Sequence, residues 1–179
     1  MRKYIGIVLF LLFIALAAFK IYHSVIFKQE VTGYLKRATD AGSVELALAE
    51  LQKSLKYIES NNLTKGYTSV FYETPDEDIA FWYQNLKVTE AELIKTQGSS
   101  SLEKTNVLLK LRESLSDDGK KRSSITYPEG ISIYPHNRLM TILFWISLIW
   151  IVIFIIEIDK AEKDSKRQKE ARRSSEVQD

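Results

Sequence analysis

The 179-residue chain has no cysteine and is sparing with histidine (two), proline (three) and glycine (seven). Lack of cysteine rules out disulfides, thiolate nucleophiles, iron–sulfur clusters and cysteine-ligated zinc. His23 and His136 stand far apart, outside any helical ligand spacing, so no metal site is expected. No Gly-x-Ser-x-Gly elbow, Walker loop or Gly-x-Gly-x-x-Gly occurs, and so few glycines leave little material for phosphate-cradling loops. Carboxylates are abundant, but no spacing singles out an acid–base pair of the kind a glycosidase needs. The expectation is a non-enzymatic protein with no catalytic residues and no cofactor; an envelope hydrolase is the minor alternative. A net charge of +2 argues against nucleic acid as a partner.

What is present is apolar and concentrated at the two ends. Leu139–Ile156 is an uncharged run whose only polar residues are Thr141 and Ser147. As a helix it covers ~27 Å, enough to span a bilayer. The first run, Tyr4–Phe19, follows Arg2 and Lys3 and continues past Lys20 through Ile21, Tyr22, Val25, Ile26 and Phe27. That continuation favours an uncleaved anchor over 1–27, with Lys20 snorkelling to the interface. The small residues Ala15-Leu16-Ala17 also fit the cleavage site of a signal peptide.

Basic residues set the expected orientation. Arg2 and Lys3 precede the first run, and Lys160, Lys163, Lys166, Arg167, Lys169, Arg172 and Arg173 follow the second. The inner flanks carry fewer near the membrane: Lys28, Lys36, Arg37 and Arg138, with Lys120, Lys121 and Arg122 more distant. Both termini are therefore expected in the cytoplasm, with residues 28–138 outside a bacterial inner (plasma) membrane, 139–157 crossing it, and 158–179 forming a charged cytoplasmic tail. The tail's attraction to anionic membrane lipids is expected to be weak.

The expected fold class is mainly α: two transmembrane helices flanking a small soluble antiparallel bundle of three or four helices, with one short β-hairpin possible. Proline is absent from 1–74 and 76–127, so long helices are permitted. Val44, Leu48, Leu51, Leu55 and Ile58 repeat at 4, 3, 4, 3 and mark one coiled-coil-like seam over 43–60, with Ser43 as its cap. A second helix is expected from Thr74-Pro75-Asp76-Glu77, where Thr74 caps, Pro75 takes the first position and Glu77 closes a capping box. Its seam is Ile79, Trp82, Leu86, Thr89 and Leu93. A third begins at the capping box Ser100-Ser101-Leu102-Glu103, runs to about Ser116 through Leu102, Leu108, Leu109, Leu111 and Leu115, and stops at Asp117-Asp118-Gly119. Extended structure is expected for 67–72, and for 125–127 hairpinned through Pro128-Glu129-Gly130 onto 131–134. A fourth helix forms if the first membrane helix continues through 31–37.

Two groups of residues attract functional readings. Phe71, Tyr72, Asp76, Asp78, Phe81 and Tyr83 form an acidic, aromatic-rimmed patch suited to a cationic or amphipathic ligand, or to a partner helix. Helix-start acids and a core-facing Trp82 explain much of the same stretch structurally. Trp145 and Trp150 lie inside the second membrane segment rather than at its ends, and Ala15 and Ala18 are small enough to receive one of them. The functional expectation is a scaffold or regulatory subunit of a membrane complex, as a homo-oligomer and/or bound to another membrane or envelope protein. A ligand sensor signalling through a separate partner is the alternative.

Overall fold

The structure, a computed structural model, describes residues 2–117 and 124–176. The distant basic residues Lys120, Lys121 and Arg122 and the stop signal Asp118-Gly119 lie outside them, and in the tail side chains are described as far as Arg167. The chain is mainly helical and divides into two compact units: Met1–Phe19 with Leu139–Asp179, and Lys20–Arg138.

In the first unit, the early part of α1 (Arg2–Phe27) accompanies α6 (Asn137–Glu176). Both helices are long and apolar enough to cross a membrane, and their apolar windows are almost wholly unburied by protein. They approach closely where glycine permits it. A Cβ on Gly6 would lie 2.6 Å from the Phe154 ring. The Phe13 and Phe144 rings meet with centroids 5.0 Å apart, and the buried Ser147 hydroxyl donates to the Phe144 carbonyl at 2.8 Å. Trp145, Trp150, Ala15 and Ala18, the residues expected to pack between the two helices, are all exposed to the surroundings of the unit. Gly6 permits the Phe154 contact, because only a residue without a side chain lets a phenyl ring rest on the opposing backbone. Beyond the apolar stretch α6 continues, with Lys163 on Asp159 and Lys166 on Glu162 at the favourable i, i+4 spacing.

The second unit takes in the end of α1. Phe27 is buried there, its ring centroid 5.3 Å from that of Tyr127. A π-helical turn at Lys28–Thr32 leads directly into α2 (Gly33–Thr39). α3 (Val44–Ser60) starts where expected, with the Ser43 hydroxyl accepting from the Leu46 amide at 3.2 Å. Its predicted seam is buried throughout, widened by Ala47, Glu50 and Ser54. α3 packs against α2 and α4 (Ile79–Thr96), and α5 (Ser101–Leu115) packs against all three. One apolar core joins Val31, Leu35, Leu51, Ile58, Ile79, Leu86 and Leu93. Each such side chain contributes about 1.5–3 kcal/mol through removal from water.

Three local expectations are corrected. α4 begins at Ile79, not at Pro75; Pro75–Glu77 forms a separate 3-10 turn. Thr68 N donates to the Glu77 carbonyl at 3.1 Å and Ile79 N to that of Gly66 at 2.9 Å, which holds Asp78 extended and interrupts the helix. Asp78 then caps α4, accepting from the amides of Ala80 (2.8 Å) and Phe81 (3.2 Å). The Pro-Glu-Gly hairpin does not form: Ile131–Ile133 is a 3-10 turn, and β2 (Ser124–Ile125) pairs antiparallel with β1 (Ser116–Asp117) instead. Residues 67–72 are loop apart from a single bridge between Tyr67 and Asp78. Finally, α5 starts at its predicted Ser100 cap but buries only Leu111 and Leu115 fully, leaving Leu102 and Leu109 exposed.

Candidate functional site

The chain between α3 and α4, residues 61–78, is longer than most connections in compact domains, and loops of that length are commonly functional. Its distal part is an Ω-loop with a pinned neck. Backbone hydrogen bonds Thr68–Glu77 and Ile79–Gly66, with the Tyr67–Asp78 bridge, bring the two ends together. Gly66 adopts φ +102°, and the Tyr134 hydroxyl fills the space a Cβ would take, so the neck requires glycine at this point.

Ser69, Val70, Phe71, Tyr72, Thr74, Asp76 and Glu77 line a cleft of about 420 Å³ in this loop. Phe71 and Tyr72 are 83% and 75% exposed, so their rings stand in water at its rim. Within the turn the Thr74 hydroxyl donates to Glu77 Oε2 at 2.6 Å, which holds that carboxylate in place. Thr68 and Ser69 of the loop are buried, and neither hydroxyl has a hydrogen-bond partner among the described residues. Burying an unpaired hydroxyl costs about 1–3 kcal/mol.

Of the predicted patch, the cleft assembles Phe71, Tyr72 and Asp76. The other three have separate surroundings. Asp78 is occupied as the α4 cap, and Phe81 is exposed on the first turn of that helix. Tyr83 donates its hydroxyl to Glu59 Oε1 at 2.7 Å, in a polar seam between α3 and α4. That seam continues through Lys87, 2.5 Å from Glu90 and 3.6 Å from Glu59, to Gln52, whose amide donates to Glu90 at 3.1 Å. The hydrogen bond to Glu59 raises the Tyr83 pKa, and the bond to Glu90 raises that of Lys87. Burial alone would raise the Glu90 carboxyl, but hydrogen bonds from Lys87 and Gln52 outweigh it and leave its pKa lowered.

Two features escaped the sequence reading. Ser69 and Thr68 carry no motif, since what distinguishes them is burial without a partner. Glu50 is a fully buried carboxylate, held by Arg37 Nη2 at 3.0 Å and Lys53 Nζ at 2.7 Å. The only sequence trace of that arrangement is the i, i+3 spacing of Glu50 and Lys53. Among the described residues, no three His, Asp or Glu side chains converge as a metal site would require. No family model, no curated protein and no solved structure matches the chain.

Proposed function

We propose that the protein is a non-enzymatic integral membrane protein. Residues 28–138 form an extracytoplasmic helical bundle that serves as a scaffold or accessory subunit of a membrane complex. The observation that carries this reading is the apolar surface left on the soluble unit. Phe81, Val88 and Ile94 on α4 and Leu102 and Leu109 on α5 are exposed, although the same helices bury enough to hold a core. Large apolar side chains in the open are available to a protein partner or a second copy of the chain.

The two apolar helices act as anchors in a bacterial inner membrane, with both termini cytoplasmic and the charged end of α6 near anionic lipid headgroups. Extraction of the full chain in mild detergent, followed by particle mass and identification of co-purifying proteins, tests the reading. One stoichiometric partner is expected; a bare monomer overturns it. Because the chain has no native cysteine, single cysteines at Gln97 and Ser174 report topology through a membrane-impermeant maleimide. Labelling at 97 but not at 174 in intact cells is the expected result.

A ligand-sensing role is the second reading, favoured by the cleft in the 66–78 loop. It requires a ligand-dependent change in the thermal stability of the full chain.

A further inference from the structure

We propose that the Ω-loop cleft is a receptor for a cationic side chain, lysine or arginine, presented by a protein partner. This rests on the accessory-subunit reading and names the chemistry by which the partner is held.

Three independent observations converge on it. The first is charge. From Gly66 to Ile79 the chain carries Glu73, Asp76, Glu77 and Asp78 and no basic residue. Asp78 is consumed by its cap and one oxygen of Glu77 by Thr74, whereas Asp76 is exposed and bonds to no other described side chain. The loop is therefore net acidic even with the adjacent Lys65 counted, with a free carboxylate at the cleft.

The second is the aromatic rim. Phe71 and Tyr72 gain nothing from folding in their exposed positions, yet an exposed ring face attracts an ammonium or guanidinium group. The third is the size of the cleft. A cleft of about 420 Å³ admits a side chain and its flanking backbone rather than a whole helix. The same carboxylates repel an anionic lipid surface, which leaves a polypeptide as the favoured occupant.

The experiment uses the full chain in zwitterionic nanodiscs and saturation-transfer NMR. The probe is N-acetylarginine amide, and N-acetylcitrulline amide serves as its uncharged isostere. Transfer to the arginine probe is expected to exceed that to citrulline several-fold and to weaken as salt rises. Asp76→Asn and Phe71→Ala should each lower it by about three- to tenfold, whereas Glu92→Gln on α4 should not change it. Both cleft positions are exposed, so the variants keep the fold, checked by an unchanged melting temperature. Equal transfer to the two probes, or transfer indifferent to Asp76→Asn and Phe71→Ala, overturns the inference. The accessory reading is judged separately: a partner that still co-purifies with the Asp76→Asn, Phe71→Ala double variant preserves that reading and contradicts the cationic cleft.

Discussion

Trp82 donates its indole N–H to the main-chain carbonyl of Thr126 at 3.1 Å, across an α4 face that also buries the ring. Thr126 in turn donates its amide to Leu115 at 2.9 Å. One side chain thus ties α4 to the segment after β2 and, through it, to the end of α5. Trp82→Phe removes the donor and should cost about 1–2 kcal/mol, while Trp82→Ala also opens a cavity and should cost about 3–5 kcal/mol. Thermal melts of the full chain in detergent, followed by circular dichroism, check both values and their order.

The Arg37–Glu50–Lys53 cluster should respond non-additively. The cations are half or more exposed, with side-chain exposures of 65% and 50%, whereas the carboxylate is 3% exposed. Either cation alone can neutralise Glu50, so Arg37→Ala or Lys53→Ala should each cost no more than about 1 kcal/mol. The double variant leaves a buried unpaired charge and should cost about 3 kcal/mol or more. A double-mutant cycle read by chemical denaturation measures the coupling, and simple additivity contradicts it.

The seam between α3 and α4 predicts stability falling at both ends of the pH scale. The lowered Glu90 pKa gives stabilisation present above the unfolded carboxyl value, about 4.3, and lost as pH falls through the folded one. The raised pKa values of Lys87 and Tyr83 work in the opposite direction. Their stabilisation is complete below the unfolded values of about 10 and is lost as pH rises through the folded ones. Melting temperatures from pH 3 to 11 should therefore form a plateau with two falling shoulders, and Lys87→Met should diminish the alkaline shoulder.

The approach of α1 to α6 depends on Gly6 and Phe154. Gly6→Leu should separate the helices at that end, and adding Phe154→Ala should restore part of the contact by vacating the ring's volume. Cysteines introduced at Phe13 and Phe144, in a chain with none of its own, allow bismaleimide cross-linking as the readout. Efficiency should fall in Gly6→Leu and recover in the double variant.

Legibility from sequence varied from element to element. Ser43 and Ser100 were readable as caps because capping involves only neighbouring residues, and both accept the expected amide. The α3 seam was readable because helical periodicity is local too. Thr74-Pro75-Asp76-Glu77 has the same local grammar, yet the helix starts at Ile79, because Gly66 and Thr68 claim the backbone of Glu77 and Ile79. α5 illustrates the same limit in packing: five leucines have suitable spacing, and contact with α2, α3 and α4 selects Leu111 and Leu115. The predicted patch divided for this reason as well. Phe71, Tyr72 and Asp76 share a cleft because the loop closes on itself, whereas Tyr83 reaches from α4 across to Glu59 on α3.

The amino-acid sequence by itself determined the helical class, the two apolar segments and the helix starts at Ser43 and Ser100, since each follows from composition or from residues within a turn or two of one another. Tertiary structure alone decided which apolar residues meet across helices, where α4 begins, which strand Ser124–Ile125 pairs with, and that Ser69 is buried in the loop that forms the cleft. Those outcomes depend on contacts between residues far apart in the chain, where burial and hydrogen-bond satisfaction outweigh local preference.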